Sequence, residues 1–292
     1  MESAHVPVLL EPALEMLGVR PGGFYVDGTV GLGGHAVEVL RRSAPSGRLL
    51  GLDRDAETLA RARERLAPFG DRARLVHADW RTLPDRLGDE RPDGVLLDLG
   101  VSSLQLDTPE RGFSFRADGP LDMRMDRSAG LTAADLVNRL PERELADLIY
   151  RYGEERASRR IARAIVRARQ KAHLRTTGEL AAVVRAAAGR ARKPGRDPAT
   201  LTFQALRIHV NRELEGLADA LEAIAHRLAA GGRLVVIAFH SLEDREVKNA
   251  LRDLARGEFT LLTRKPVRPA DEETARNPRA RSARLRALAR AA

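Results

Sequence analysis

The segment Asp27-Gly28-Thr29-Val30-Gly31-Leu32-Gly33-Gly34-His35 sets four glycines between an apolar run and a helix-forming stretch. Glycines there let the backbone turn sharply and approach a ligand with no Cβ in the way. The helix start behind them offers backbone N–H groups that have no partner within the helix. Two ligand classes suit such a loop. Gly31-x-Gly33-x-x-Ala36, with Asp53 closing the next apolar run, matches a relaxed dinucleotide fingerprint in which the acid holds a ribose diol. S-adenosylmethionine makes the same demand of the loop and the acid. Asp27 favours the second ligand: its carboxylate would attract a methionine ammonium and repel a pyrophosphate. His77-Ala78-Asp79-Trp80 adds a polar–aromatic pair suited to an adenine. Nothing after the fourth apolar run resembles a nicotinamide site. His240 and Ser241 close a later run and read as loop hydrogen-bonding groups. No second His or carboxylate stands at ligand spacing from His35, so no metal site is expected.

These residues need strand ends to carry them. Phe24-Tyr25-Val26, Leu49-Leu50-Gly51-Leu52, Arg74-Leu75-Val76 and Val95-Leu96-Leu97 read as buried strands, with helical stretches at 36–42, 56–66 and, more loosely, 83–87. Strands and helices alternating at this spacing predict a doubly wound, parallel α/β sheet. The alternation then stops. Helical signals fill the chain from about 106 to 210, beginning with the capping-box pattern Thr132-Ala133-Ala134-Asp135. A helix over 211–229 and the strand run Leu234-Val235-Val236-Ile237 resume the sheet. The sequence thus predicts a first sheet segment (1–105), an inserted all-helical domain (106–210), and a second sheet segment with a basic C-terminal tail (211–292). Phe203, Leu206 and Val210 share one helical face and read as core. Phe113 and Phe115, flanked by Arg111 and Arg116, could stack on bases or pack the insertion.

Cysteine is absent, which excludes disulfide scaffolds, thiolate metal sites and a cysteine nucleophile. No signal peptide or membrane span is read, so the expected address is the cytoplasm. Fifty Lys and Arg stand against 41 Asp and Glu, a net charge of +9, and placement matters more than the total. Between Arg151 and Arg196 lie fourteen basic residues and three acids, an excess larger than that of the whole chain. Arg163 and Arg167, one helical turn apart, belong to this run and are candidate phosphate contacts. A second run, Arg276, Arg279, Arg281, Arg284, Arg286 and Arg290, has no acid after Glu273. Two one-sign clusters point to a nucleic-acid partner.

Ordered blocks along the chain resemble the RsmH (MraW) family of bacterial small-subunit ribosomal RNA methyltransferases. They are His5-Val6-Pro7-Val8-Leu9-Leu10, the glycine loop through His35, Asp98-Leu99-Gly100-Val101-Ser102-Ser103 and Arg111-Gly112-Phe113-Ser114-Phe115-Arg116. Asp118 through Met125, Tyr152-Gly153-Glu154-Glu155, Thr202 through Ile208, Phe239 through Arg245 and Asn277 through Ser282 follow in order. The resemblance implies a Rossmann-like class I methyltransferase sheet with an inserted helical domain. It also implies S-adenosylmethionine as cofactor, and N4 of a cytidine in ribosomal RNA or the small subunit as target. Carried over by position, the cofactor contacts fall on Gly33, Gly34, His35, Asp53, Trp80, Asp98 and Gln105; relatives more often have Phe where Trp80 stands. Asp98 is the candidate catalytic residue. It is followed by Leu99-Gly100 rather than the Pro-Pro pair of DNA amino-methyltransferases. The competing readings are a noncatalytic RNA-binding or assembly protein and an NAD-dependent dehydrogenase.

Overall fold

The early apolar runs form neighbouring strands in the structure, a computed structural model that describes residues 7–128, 130–189 and 197–292. The chain divides into two units, Met1–Gly100 with Leu214–Ala292, and Val101–Glu213. The first unit opens with α1 (Leu10–Leu17), β1 (Phe24–Asp27), α2 (Gly34–Arg42), β2 (Arg48–Asp53), α3 (Ala56–Leu66), β3 (Ala73–His77), α4 (Leu83–Arg86) and β4 (Gly94–Asp98). The second contains α5 (Ser103–Asp107), α6 (Ala133–Arg139), α7 (Glu142–Gly153), α8 (Ser158–Arg169), α9 (Thr177–Ala188) and α10 (Thr200–Val210). The first then resumes with α11 (Leu217–Arg227), β5 (Arg233–Ala238), α12 (Ser241–Leu254), β6 (Phe259–Leu261), α13 (Asp271–Arg276) and β7 (Arg284–Arg290). The helix expected over 211–229 starts late. Asn211 uses its side chain to bind Met123 O and Met125 N, and Gly216 (φ 60°) caps α11.

The sheet runs β3-β2-β1-β4-β5-β7-β6. Strands β1 to β5 pair in parallel, so Asp27, Asp53 and Asp98 all leave it at one edge. Its two faces are covered by separate apolar layers, one led by Tyr25, Leu40 and Leu59, the other by Val26, Leu97 and Leu221. This is the Rossmann-like α/β architecture expected. Its departure from a purely parallel sheet is β7, antiparallel to both β5 and β6.

That strand corrects the basic-tail reading. Residues 284–290 do not trail from the domain; they lie inside the sheet with Leu285, Ala287 and Leu288 buried. Arg286 Nε donates to Asp244 Oδ1 at 2.7 Å and Arg284 Nη1 to Asp244 Oδ2 at 3.0 Å, while Arg290 binds Glu258 at 3.0 Å. An Arg-x-Arg alternation resembles a charged tail in composition, but its partners lie far back in the chain. Composition alone does not reveal them.

The helical unit has its own core, which includes Leu136, Ile149, Ile161, Leu180 and Leu206. Thr132 and Asp135 close the expected capping box on α6. Phe113 and Phe115 are packing residues here: Phe113 is buried and Phe115 meets Phe203 edge-on at 4.7 Å. Arg111 is buried and its Nη2 donates to the carbonyls of Arg124 and Met125. No helix among the described residues is long and apolar enough to cross a membrane.

Burial alone would raise the Asp244 carboxyl, yet the hydrogen bond and charge of Arg286, with Arg284 behind it, hold it below the usual range. The pair stabilises the fold above the unfolded carboxyl value near ~4, and that contribution is lost as pH falls through the native value. Removing Asp244 strands a buried guanidinium. Asp244→Ala should therefore cost about 3 kcal/mol at pH 7, and less at pH 3, in urea denaturation.

Candidate functional site

The glycine loop is fixed from both sides by the strands it spans. Gly28 N–H donates to Leu96 O on β4 at 2.9 Å, and Val30 N–H to Leu52 O on β2 at 2.8 Å. A Cβ on Gly28 would stand 2.5 Å from Leu97 Cδ2, so the loop lies too close to β4 for any side chain. Gly33 caps α2 with φ 78°, a left-handed conformation that glycine adopts without penalty. Thr29 completes the stitching by accepting the Asp98 N–H on Oγ1 at 2.6 Å. That contact was missed from sequence, where Thr29 looked like loop filler.

Around this loop stand the strand-end acids. Asp27 accepts from Thr29 N–H at 3.2 Å. Asp53 takes Gly31 N–H on Oδ2 at 2.9 Å and Asp55 N–H on Oδ1 at 2.8 Å. Burial pushes the Asp27 carboxyl up to about 7, with Asp53 adding to the rise and the Thr29 N–H opposing it. Burial likewise raises Asp53 to about 6 against the N–H groups of Asp55 and Gly31. Asp98 is raised well above the carboxylate range, by burial first and then by the charges of Asp27 and Glu243. Its Oδ1 is out of contact with solvent and has no hydrogen-bond partner among the described residues. Its Oδ2 lies 3.8 Å from His35 Nδ1.

Glu243 was the second omission. It lies one turn into α12, is 1% exposed, and accepts from Phe239 N–H at 3.0 Å. His240 caps α12, its Nδ1 accepting from Glu243 N–H at 3.3 Å, which agrees with the loop hydrogen-bonding role expected. The capping pattern His-Ser-Leu-Glu just after a strand was the available signal.

The structure brings Gly33, Gly34, His35, Asp53 and Asp98 to the loop edge of the sheet unit. Trp80 begins the turn after β3 and is only 6% exposed, with the Arg81 guanidinium 4.7 Å above its ring. It is a wall rather than an open stacking platform. Asp79 is engaged by Arg81 at 3.2 Å and Arg54 at 3.4 Å. Gln105 belongs to the helical unit, where its side chain closes a capping box with Ser102. Arg163 and Arg167 are exposed on α8, as are Arg156 and Arg159 just before and within it. Arg163 stands 3.5 Å from Glu142. Of the other basic residues, Arg169 donates to Val137 O and Arg185 pairs with Asp197. Arg190, Arg192, Lys193 and Arg196, like His5 and Val6, lie outside the described residues.

This arrangement fits a cationic adenosyl ligand. The acids repel one another until a positive charge joins them, and the orphaned Asp98 Oδ1 awaits a donor. A pyrophosphate would meet the same acids with the wrong sign, so the dinucleotide alternative is disfavoured.

An acid raised in the native state holds an extra proton between its unfolded value near ~4 and its folded value, so stability declines as pH rises through that window. Without added ligand, the melting temperature should therefore fall between pH 5 and 8. Asp27→Asn should remove part of that fall and raise the pH 8 value by roughly 5 °C in calorimetry. An unchanged slope would place the titration elsewhere.

Comparison with known proteins agrees with this site. A model of the MraW methylase family matches residues 2–291. The ribosomal RNA small subunit methyltransferase H of Symbiobacterium thermophilum is 52% identical over 304 residues, covering 97% of this chain and 96% of that protein. The protein of the same name from Thermobifida fusca is 52% identical over 309 residues, covering 98% of this chain and 93% of its own length. Matched nearly end to end, with a glycine loop and strand-end acids built for an adenosyl donor, the chain belongs to the MraW methylase family.

Proposed function

We propose that this S-adenosylmethionine-dependent methyltransferase modifies N4 of a cytidine in the ribosomal RNA of the small subunit. Relatives named for that RNA supply the substrate class, and the family resemblance supplies the base. The observation that carries the chemistry is the buried Asp98 Oδ1 with no described partner, at the carboxyl edge of the sheet. An exocyclic amino nitrogen is a weak nucleophile because its lone pair is delocalised into the ring. A carboxylate accepting its N–H localises that pair and receives a proton as the nitrogen reacts. When bound, S-adenosylmethionine supplies an electrophilic methyl on a positively charged sulfur; the N–C bond forms as the S–C bond breaks, sulfur keeps that electron pair, and one proton must leave nitrogen.

Gly33, Gly34 and His35 form the loop side of the cofactor site, Trp80 an adenine wall, and Gln105 a contact from the helical unit. Each Asp53 oxygen carries one backbone donor and has a further lone pair for a ribose hydroxyl. Asp27 faces the methionine ammonium. The exposed arginines of α8 form the RNA-docking surface. Arg156, Arg159, Arg163 and Arg167 recur at three- and four-residue steps, so they share one side of the helix. The protein acts in the cytoplasm on ribosomal RNA or the small subunit.

The test is transfer of an isotopic methyl group from S-adenosylmethionine to small-subunit ribosomal RNA, with mass mapping of the product nucleoside. N4-methylcytidine is expected; label on another atom, or none, rejects the proposal. Asp98→Asn keeps the shape and removes the charge, and should slow saturated turnover by about 100-fold or more. Wild-type turnover in that variant would remove Asp98 from the chemistry.

For docking, each phosphate neutralised on a single strand contributes about −0.7 to the log–log salt slope. Arg163→Ala with Arg167→Ala should flatten the slope by about one to two units while leaving cofactor affinity unchanged. An unaltered slope would show α8 to be a solvated face.

A further inference from the structure

We infer that His35 is a positioning residue for Asp98, holding the carboxylate in register and taking over through Nδ1 the proton that Asp98 receives. The inference rests on the reading of Asp98 as the acceptor for the substrate amino group.

His35 is the second residue of α2 and is 5% exposed. Its Nε2 lies 3.1 Å from Val8 O, a carbonyl that can only accept, so Nε2 carries the hydrogen. In the neutral ring this leaves Nδ1 with its lone pair toward Asp98 Oδ2, 3.8 Å away. Lone pair and carboxylate repel, and one proton between them turns the repulsion into attraction. A catalytic contact that is long without substrate can tighten when the complex forms. The backbone thus selects the tautomer, and the tautomer selects which ring nitrogen meets the acid.

The surroundings stabilise both ends of the transfer. Asp27 from β1 and Glu243 from α12 face Asp98, Asp53 from β2 acts on Asp27, and His240 lies 3.1 Å from Glu243. These acids raise the proton affinity of Asp98, so it can accept a proton from a nitrogen becoming positive. They also favour an imidazolium at His35, against the positive end of α2. The balance is simple: nitrogen loses the proton, Asp98 gains it on oxygen, and His35 Nδ1 takes it while Asp98 returns to carboxylate. Neither residue is consumed.

The test uses the full chain. His35→Gln retains an amide N–H able to reach Val8 O and removes the titrating ring. In single turnovers at saturating cofactor and RNA, it should be about 100-fold slower and lose the rise of rate with pH, with cofactor affinity by calorimetry unchanged. A variant with normal rate and pH profile but weakened cofactor binding would overturn the relay and leave His35 as a cofactor contact. Nitrogen NMR of wild-type protein without ligand gives an independent reading. It should show His35 protonated at Nε2, with the Nδ1 signal shifted by Asp98→Asn; an Nδ1–H tautomer overturns the inference even if His35→Gln fails to fold. Normal turnover in Asp98→Asn would instead defeat the reading of Asp98 itself. Slow Asp98→Asn beside normal His35→Gln defeats the relay alone.

Discussion

Removing a carboxylate from water disfavours its charge, and this chain gathers Asp27, Asp53, Asp98 and Glu243 at one edge of one sheet. The glycine loop answers part of that cost with backbone N–H groups on Asp27 and Asp53. It does not answer it for Asp98 Oδ1. The site is therefore stable as a partly protonated cluster, and a ligand of positive charge converts it to an ionised one. The close approach of Gly28 to β4 and the Thr29 bond to Asp98 keep the acids from spreading apart. A sheet interior packed at both faces supplies the rigidity that such a cluster needs.

Positive charge is managed in two different ways. In the sheet unit it is spent on structure: Arg284 and Arg286 share Asp244, and Arg290 holds Glu258. In the helical unit Arg111, Arg169 and Arg185 are likewise structural, satisfying carbonyls, covering Phe115 or pairing with Asp197. What remains exposed on α8 is a smaller and more ordered set than the sequence count suggested. Only that set is available to a polyanion.

The fold was legible where local rules and tertiary demands agree. The runs ending in Asp27, Asp53 and Asp98 are strands because they are apolar, short and closed by a polar residue that the sheet edge accepts. Thr132 and Asp135 announced α6 because a capping box is a local device. Strand β7 was illegible because its arginines look solvated until Asp244, 42 residues earlier, is folded against them. Phe113 and Phe115 were ambiguous for a similar reason: aromatic rings beside arginines suit a core or a base stack, and Phe203 decides the matter. At the site, motif positions named the acids. The roles of Thr29 and Glu243 required seeing which backbone groups they restrain.

The sheet is interrupted, and that has a consequence for the order of its assembly. Gly94 on β4 sits opposite Arg233 on β5, yet the whole helical unit lies between them in the chain. Closing a longer loop costs little extra, about 0.6 kcal/mol per doubling, but local helices form first and long-range strand pairing last. Until β5 docks, α12 cannot bring Glu243 toward Asp98, and β4 remains an edge strand open to water. Asp98 is then an ordinary ionised acid. Completing the sheet strips its hydration and sets a second acid near it, so the closing step of folding draws a proton from solution. The site acquires its chemistry in the same event that completes its scaffold.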